Sequence, residues 1–245
     1  MARQDVVWQR PDMVRSYLRE TRGGIPFGVE QIEIMLRVIE SNRRPVERFA
    51  DLGCGGGALA QALLARYPAA HATLVDFSEP MLAAARAAVR AQTPSARFVT
   101  ADLAAPSWAG DLDPDASFDA IVSAYAIHHL THERKRELYG EIFDRLEPGG
   151  IFVNIEHVQS SAPAVEAMSD DLMIECLHGF QAKQPGAKTR EQIADEFHRR
   201  PDKAANILAP VEMQCGWLRA IGFADVDCYF KVFELAVFGG QRPTA

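Results

Sequence analysis

The chain has no paired-cysteine motif. Its four cysteines, Cys54, Cys176, Cys215 and Cys228, are scattered through 245 residues without a CxxC spacing. That excludes a zinc ribbon or a disulfide scaffold and reads as small buried hydrophobes in a reducing compartment. Long apolar runs are also missing: none reaches the roughly 18 residues of a membrane span. The first five residues, Met1-Ala2-Arg3-Gln4-Asp5, carry no apolar signal region, so the expectation is a cytoplasmic protein without a membrane partner. Positive charge is scarce as well. Lys and Arg number 26 against 33 Asp and Glu, a net charge of −7. Because non-specific nucleic-acid affinity comes from cationic neutralisation of phosphates, a nucleic acid is a poor partner for such a chain. Internal repeats and low-complexity tracts are absent. What remains is 48% hydrophobic and 24% charged, ordinary for a globular chain long enough to bury a core.

Within residues 46–157, five apolar strand patterns alternate with helical ones. The strands read as Val46–Leu52, Ala72–Phe77, Ala96–Ala101, Phe118–Ala124 and Ile151–Ile155. Helices read as Ala58–Tyr67, Pro80–Ala91 and Glu133–Leu146, the last stopped by Pro148-Gly149-Gly150. Such alternation predicts a parallel, doubly wound sheet. Residues 1–45 form a helical preface, with Ile32, Met35, Leu36 and Ile39 on one helical face. Residues 158–206 form a helical insertion in which Thr189 and Gln192 have capping-box spacing. Residues 207–245 add a helix over Val211–Ile221, closed by Gly222, and two strands, Val226–Val232 and Leu235–Phe238. The whole reads as one domain of these four parts.

The most informative stretch is Asp51-Leu52-Gly53-Cys54-Gly55-Gly56-Gly57-Ala58: a strand that ends in an acid, a glycine turn, and a helix start. Glycines permit a tight turn and close approach to a ligand, and the helix start offers unpaired N–H groups. The bare pattern fits a dinucleotide site, G-x-G-x-x-G/A. Asp51 favours S-adenosylmethionine instead: a carboxylate there can accept from the cofactor's amino-acid end, directly or through water, whereas it would repel a pyrophosphate. Asp76 follows the glycines by about 20 residues, the distance at which an acid meets ribose hydroxyls. Asp102, at the end of the third strand, either reads an adenine edge or forms a turn. Three acids at three successive strand ends are more specific than any one alone.

These residues, with Val75-Asp76-Phe77-Ser78, Ala101-Asp102-Leu103, Phe118-Asp119-Ala120-Ile121-Val122, Ile127-His128-His129-Leu130 and Leu146-Glu147-Pro148-Gly149-Gly150, resemble the class I S-adenosylmethionine-dependent methyltransferases over residues 46–157. The resemblance implies a Rossmann-like α/β fold, a seven-stranded sheet of order 3-2-1-4-5-7-6 with the last strand antiparallel. It implies cofactor contacts from Asp51, Gly53, Gly55, Asp76, Phe77, Met81, Asp102, Leu103 and Ser123, and no metal. The flanks, with Arg22-Gly23-Gly24-Ile25-Pro26-Phe27 and the helical insertion, loosely resemble the carboxy-S-adenosylmethionine synthases, in which an insertion arginine grips a carboxylate. Arg199 or Arg200 stands at that place; the alternative for both is a solvated helix end. Phe27 and the sequence His198-Arg199-Arg200-Pro201 depart from that group's pattern.

Methyl transfer to a small-molecule acceptor, itself a candidate carboxylate carrier, is the leading expectation. Carboxylation or cyclisation of the cofactor is the alternative, with a cofactor sensor and a nicotinamide dehydrogenase behind it. Tyr125 is an aromatic candidate to face the sulfonium or the acceptor, as is Tyr17. His128, His129 and His157 are candidate bases, with Glu156 beside the last; packing and strand capping are their other reading. A homodimer is a candidate assembly.

Overall fold

The computed structural model describes residues 5–90, 93, 95–112 and 116–244. Residues 1–4, part of the leader reading, and Ala91, the expected end of a helix, lie outside the described residues. The preface contains α1 (Pro11–Ser16), continued by a wide turn over Tyr17–Thr21, and α2 (Gly28–Ser41). There follow β1 (Arg48–Leu52), α3 (Ala58–Arg66), β2 (His71–Asp76), α4 (Glu79–Val89), β3 (Arg97–Thr100), β4 (Phe118–Ala124), α5 (His132–Arg145) and β5 (Leu146–His157). The insertion supplies α6 (Pro163–Gln181) and α7 (Arg190–Arg199); α8 (Val211–Ile221), β6 (Ala224–Val232) and β7 (Leu235–Gln241) complete the chain.

The sheet order is β3-β2-β1-β4-β5-β7-β6, as the family resemblance implies. β1 to β5 pair in parallel, and β7 runs antiparallel to both β5 and β6. Two apolar clusters cover the two faces. One gathers Leu52, Val75, Ile121, Phe152, Leu138 and Leu218; the other gathers Phe49, Leu63, Leu74, Leu82, Val122 and Met35. In α2, Met35 and Ile39 are buried and Ile32 and Leu36 pack beside them, so the amphipathic face read from spacing is the one that meets the sheet.

Two boundaries differ from the sequence expectation by more than two residues. α5 ends at Arg145, and Pro148-Gly149-Gly150 lies inside β5. β7 runs through Gly239 and Gly240 to Gln241 instead of stopping at Phe238. Glycine weakens a strand by propensity, yet here a Cβ on Gly239 would lie 2.0 Å from the Phe152 carbonyl oxygen. The strand needs a residue without a side chain because its neighbour's backbone comes that close.

The insertion has its own small core of Ile174, Leu177 and Ile193, and α7 is started by the Thr189–Gln192 capping box. It leans on the preface. Gln181 donates to the Glu20 carbonyl at 3.1 Å, Lys188 pairs with Glu20 at 3.3 Å, and Gly24 packs on Leu177. Preface and insertion thereby meet across the edge of the sheet at which the parallel strands end.

Candidate functional site

All five parallel strands present their carboxyl ends to one side, and a crevice opens there where the order reverses between β1 and β4. The glycine turn forms its floor. The N–H groups of Gly53 and Cys54 both donate to the Val75 carbonyl, at 2.8 and 3.0 Å, so the turn folds back over the end of β2. Gly53 has φ +67° and faces the loop after β4; Leu18 of the preface packs on Gly56. Gly55 opens toward the crevice, with the Met81 sulfur as its nearest neighbour, 3.8 Å from the position a Cβ would take.

Asp76 is buried at the end of β2 and lines the crevice. One carboxylate oxygen accepts from the Gly55 N–H at 2.9 Å, the other from Ser78 at 2.8 Å. Burial pushes its pKa up to about 6, opposed by those backbone donors. Asp51 is also buried, but does not line the crevice. Its carboxylate accepts from the Ala60 N–H at 3.2 Å in the first turn of α3, and burial, opposed by that bond, lifts its pKa to about 7. Asp102 lines the crevice and turns the chain, accepting from the Ala104 N–H at 2.9 Å, as its turn reading expects. Its loop is anchored from α5: Arg134 donates to the Leu103 carbonyl at 2.9 Å and is clamped by Glu141 through both carboxylate oxygens.

Gly53, Gly55, Asp76, Phe77, Met81, Asp102 and Leu103 therefore share one wall. Ser123 differs: opposite the last residue of β1, its side chain is fully buried, donates to the Leu52 carbonyl at 2.7 Å, and is not among the residues lining the crevice.

The crevice continues under the preface and insertion as a cavity of about 740 Å³, within the range of small-molecule sites, about 300–1,000 Å³. Tyr125, His128, His129, His157, Arg199 and Arg200 line this second part. Tyr125 has φ +52°, and its hydroxyl donates to Gln31 Oε1 at 2.6 Å, so the preface holds the ring in place. His129 Nδ1 lies 3.3 Å from the Ala205 carbonyl, and burial drives its pKa down to about 3. His157 Nε2 meets Glu234 at 3.1 Å. The two arginines separate. Arg199 is largely exposed and pairs with Asp195 along α7, which fits a solvated helix end. Arg200 is tucked in, its guanidinium 3.9 Å from the Phe197 ring centroid, donating to the Phe197 carbonyl at 2.7 Å and facing Asp202 at 3.4 Å. Burial lowers its pKa from the ordinary arginine value.

Several wall residues had no signal in the sequence. Trp8 and Asn206 come from opposite ends of the chain, and Trp8 Nε1 and Asn206 Oδ1 have no hydrogen-bond partner among the described residues. Glu234, behind the wall, is buried against His157 by the β5–β7 pairing. Among the described residues no cluster of His, Cys, Asp and Glu has metal-holding geometry, and no helix is long and apolar enough to cross a membrane.

Comparison with known proteins agrees with this geometry. A methyltransferase domain family matches residues 49–150. The trans-aconitate 2-methyltransferase of Shigella dysenteriae is 34% identical over 72% of this chain and 69% of its own. The carboxy-S-adenosyl-L-methionine synthase of Aeromonas hydrophila is 30% identical over 78% of this chain and 72% of its own. The demethylmenaquinone methyltransferase of Thermus thermophilus is 36% identical, but the match spans 45% of this chain and about half, 47%, of that relative. Among solved structures, an O-methyltransferase family protein from Burkholderia thailandensis superposes with a TM-score of 0.65 at 17% identity, covering 99% of this chain and 64% of that one, a likeness of fold.

Proposed function

This chain belongs to the class I S-adenosylmethionine-dependent methyltransferases, and on that premise we propose that it methylates a small acceptor enclosed between the preface and the insertion. The observation that carries the reading is one continuous cavity of about 740 Å³, lined both by the glycine turn with Asp76 and Asp102 and by the histidines after β4 and β5. The cofactor supplies a sulfonium-activated methyl group that an oriented nucleophile can displace. The chain's own contribution is then positioning. Gly55 leaves room for close backbone approach, Asp76 has lone pairs remaining for ribose hydroxyls, and Asp102 and Leu103 flank the place an adenine edge would take. Asp51, one layer further in, acts by fixing the start of α3 and setting the negative potential of the turn. Holding acceptor and methyl group about 3–3.5 Å apart supplies much of the rate in such a transfer.

A second reading, carboxylation of the cofactor's methyl group, is favoured by Arg200 at the chamber wall and by the similarity to carboxy-S-adenosyl-L-methionine synthases. It needs Arg200 to exchange Asp202 for a substrate carboxylate. Mass spectrometry of cofactor products, after the protein is incubated with S-adenosylmethionine and a small-molecule cell extract, separates the two. Methyl transfer gives S-adenosylhomocysteine; carboxylation gives a heavier cofactor and no S-adenosylhomocysteine; cyclisation leaves methylthioadenosine.

Cofactor binding should also release protons near pH 6. Burial holds Asp76 and Asp51 up to about 6 and about 7. Ribose hydroxyls and a cationic sulfonium favour their ionised forms. Affinity is therefore expected to rise between pH 5 and 7.5 and then level. Without cofactor the same groups bind more protons folded than unfolded, so folding stability falls as pH rises from about 4 to about 7. Calorimetric titration in buffers of different ionisation enthalpy measures the protons released. A binding enthalpy independent of buffer at pH 6 would contradict the assignment.

A further inference from the structure

In the histidine-lined part of the cavity, His128 and Glu156 make a buried pair, Nδ1 and Oε1 2.7 Å apart. His128 follows β4, and Glu156 lies near the end of β5, fully shielded from solvent. The carboxylate is well supplied with donors. The His157 N–H reaches Oε1 at 2.9 Å, and Asn154 Nδ2 approaches Oε2 at 3.4 Å. His128 lines the cavity. Among the described residues only Nδ1 has a hydrogen-bond partner, Glu156, and the side chain, otherwise buried, keeps 9% exposure beside the cavity.

The histidine backbone is pinned too. Lys135 of α5, itself fully buried, donates to the carbonyls of His128, Leu130 and Ile207, and the Ile207 N–H donates to the His128 carbonyl at 2.9 Å. Ile207 closes the insertion, so the loop carrying His128 and the end of the insertion are one clamped unit. An imidazole needing only to fill space would not require a buried carboxylate on one nitrogen and an open cavity on the other, since an unscreened buried carboxylate is costly.

We propose that His128, oriented by Glu156, accepts the proton of a hydroxyl acceptor as that oxygen is methylated. This rests on the methyl-transfer reading and narrows it to acceptors that must lose a proton. The hydroxyl O–H bond breaks and its proton goes to His128 Nε2. The oxygen forms a bond to the methyl carbon as the carbon–sulfur bond breaks, with that electron pair left on sulfur. The positive charge of the sulfonium is replaced by the imidazolium, which Glu156 faces through Nδ1–H, and S-adenosylhomocysteine leaves as a neutral thioether. The imidazolium then returns its proton to solvent. A carboxylate acceptor would need none of this.

Glu156 also decides the tautomer. As a carboxylate it accepts from Nδ1–H and leaves Nε2 with a lone pair; as a neutral acid it donates to Nδ1 and forces the proton onto Nε2, which then cannot accept. Burial raises Glu156 to about 7 and pushes His128 well down. The groups facing His128 are His129 on its own loop, Glu156 and His157 from β5, Lys135 from α5 and Arg200 from the insertion. The competent tautomer therefore gains population as pH rises through about 7.

Two measurements on the full chain test this. Nitrogen-15 spectra of imidazole-labelled protein, without cofactor, should show His128 unprotonated at Nε2 at pH 8 and protonated there at pH 6; an Nε2–H tautomer at pH 8 overturns the proposal. With S-adenosylmethionine and the small-molecule extract, His128→Asn keeps a donor toward Glu156 but has no basic nitrogen. Its S-adenosylhomocysteine formation should fall by about 10²–10⁴-fold, with cofactor affinity at the wild-type value. Glu156→Gln should abolish the rise in rate near pH 7, which a merely structural role would leave in place. Wild-type rate in His128→Asn overturns the proposal alone. No S-adenosylhomocysteine from the wild type overturns the methyl-transfer reading, and this proposal with it.

Discussion

Replacing Asp76 with alanine should nearly abolish cofactor binding while leaving a folded protein. Two effects add. On the proposed function the carboxylate holds ribose hydroxyls, and losing such charge-assisted bonds costs about 1–3 kcal/mol of affinity. It also accepts from the N–H groups of Gly55 and Ser78. Alanine orphans both donors at the point where the glycine turn must keep its shape, at about 1–3 kcal/mol each. Against this, burial already disfavours the ionised form of Asp76, so part of the destabilisation is returned when the charge goes. The binding loss is therefore expected to exceed the drop in melting temperature. Asp76→Asn separates the two roles. An amide keeps one oxygen to accept from the turn and loses the charge, so its melting temperature should approach wild type while its affinity stays low. Titration calorimetry and thermal denaturation read the pair; wild-type affinity in the alanine variant would sink the assignment.

A methyl group at Gly53 should be almost as damaging. Gly53 has φ +67°, a conformation that costs other L-residues about 1–2 kcal/mol. Its Cβ would lie 2.2 Å from the Cβ of Ala126. That contact cannot be relieved by rotating a side chain, because both atoms are fixed to backbone. The loop after β4 must move, and overpacking of this kind costs about 1–3 kcal/mol. The moving loop carries Tyr125 at one end and His128 at the other. Gly53→Ala should thus lower stability by about 2–5 kcal/mol in sum, and lose both cofactor affinity and turnover. Gly53→Ala combined with Ala126→Gly removes the clash and keeps the φ penalty, so it should recover most of the packing loss. A double variant no better than the single would show that Ala126 is not the obstacle.

Much of the cofactor half was legible before any coordinates, because it is local. An acid before a glycine turn, and acids at the ends of the next two strands, are read from spacing, and the parallel topology then puts strand ends on one edge. The two exceptions have a topological cause. Ser123 and Asp51 have the right chain positions, but the Leu52 carbonyl and the first turn of α3 hold their side chains inside the protein. The acceptor half was legible only as a set of candidates. The strand ends offered three histidines and the family resemblance two arginines, and neither ranked them.

What the sequence by itself determined is the alternation of strands and helices and the glycine turn, since apolar strands, helical stripes and glycine positions act over short stretches of chain; the strand order followed from the family resemblance. What tertiary structure alone decided is which polar groups face one another across long separations. His128 meets Glu156 28 residues away, His157 meets Glu234 77 away, Lys135 holds a carbonyl 72 away, and Tyr125 is fixed by Gln31, 94 residues earlier. These contacts depend on strand register and on how the preface and insertion dock, and a buried polar group is committed to whichever partner that docking brings within hydrogen-bond reach.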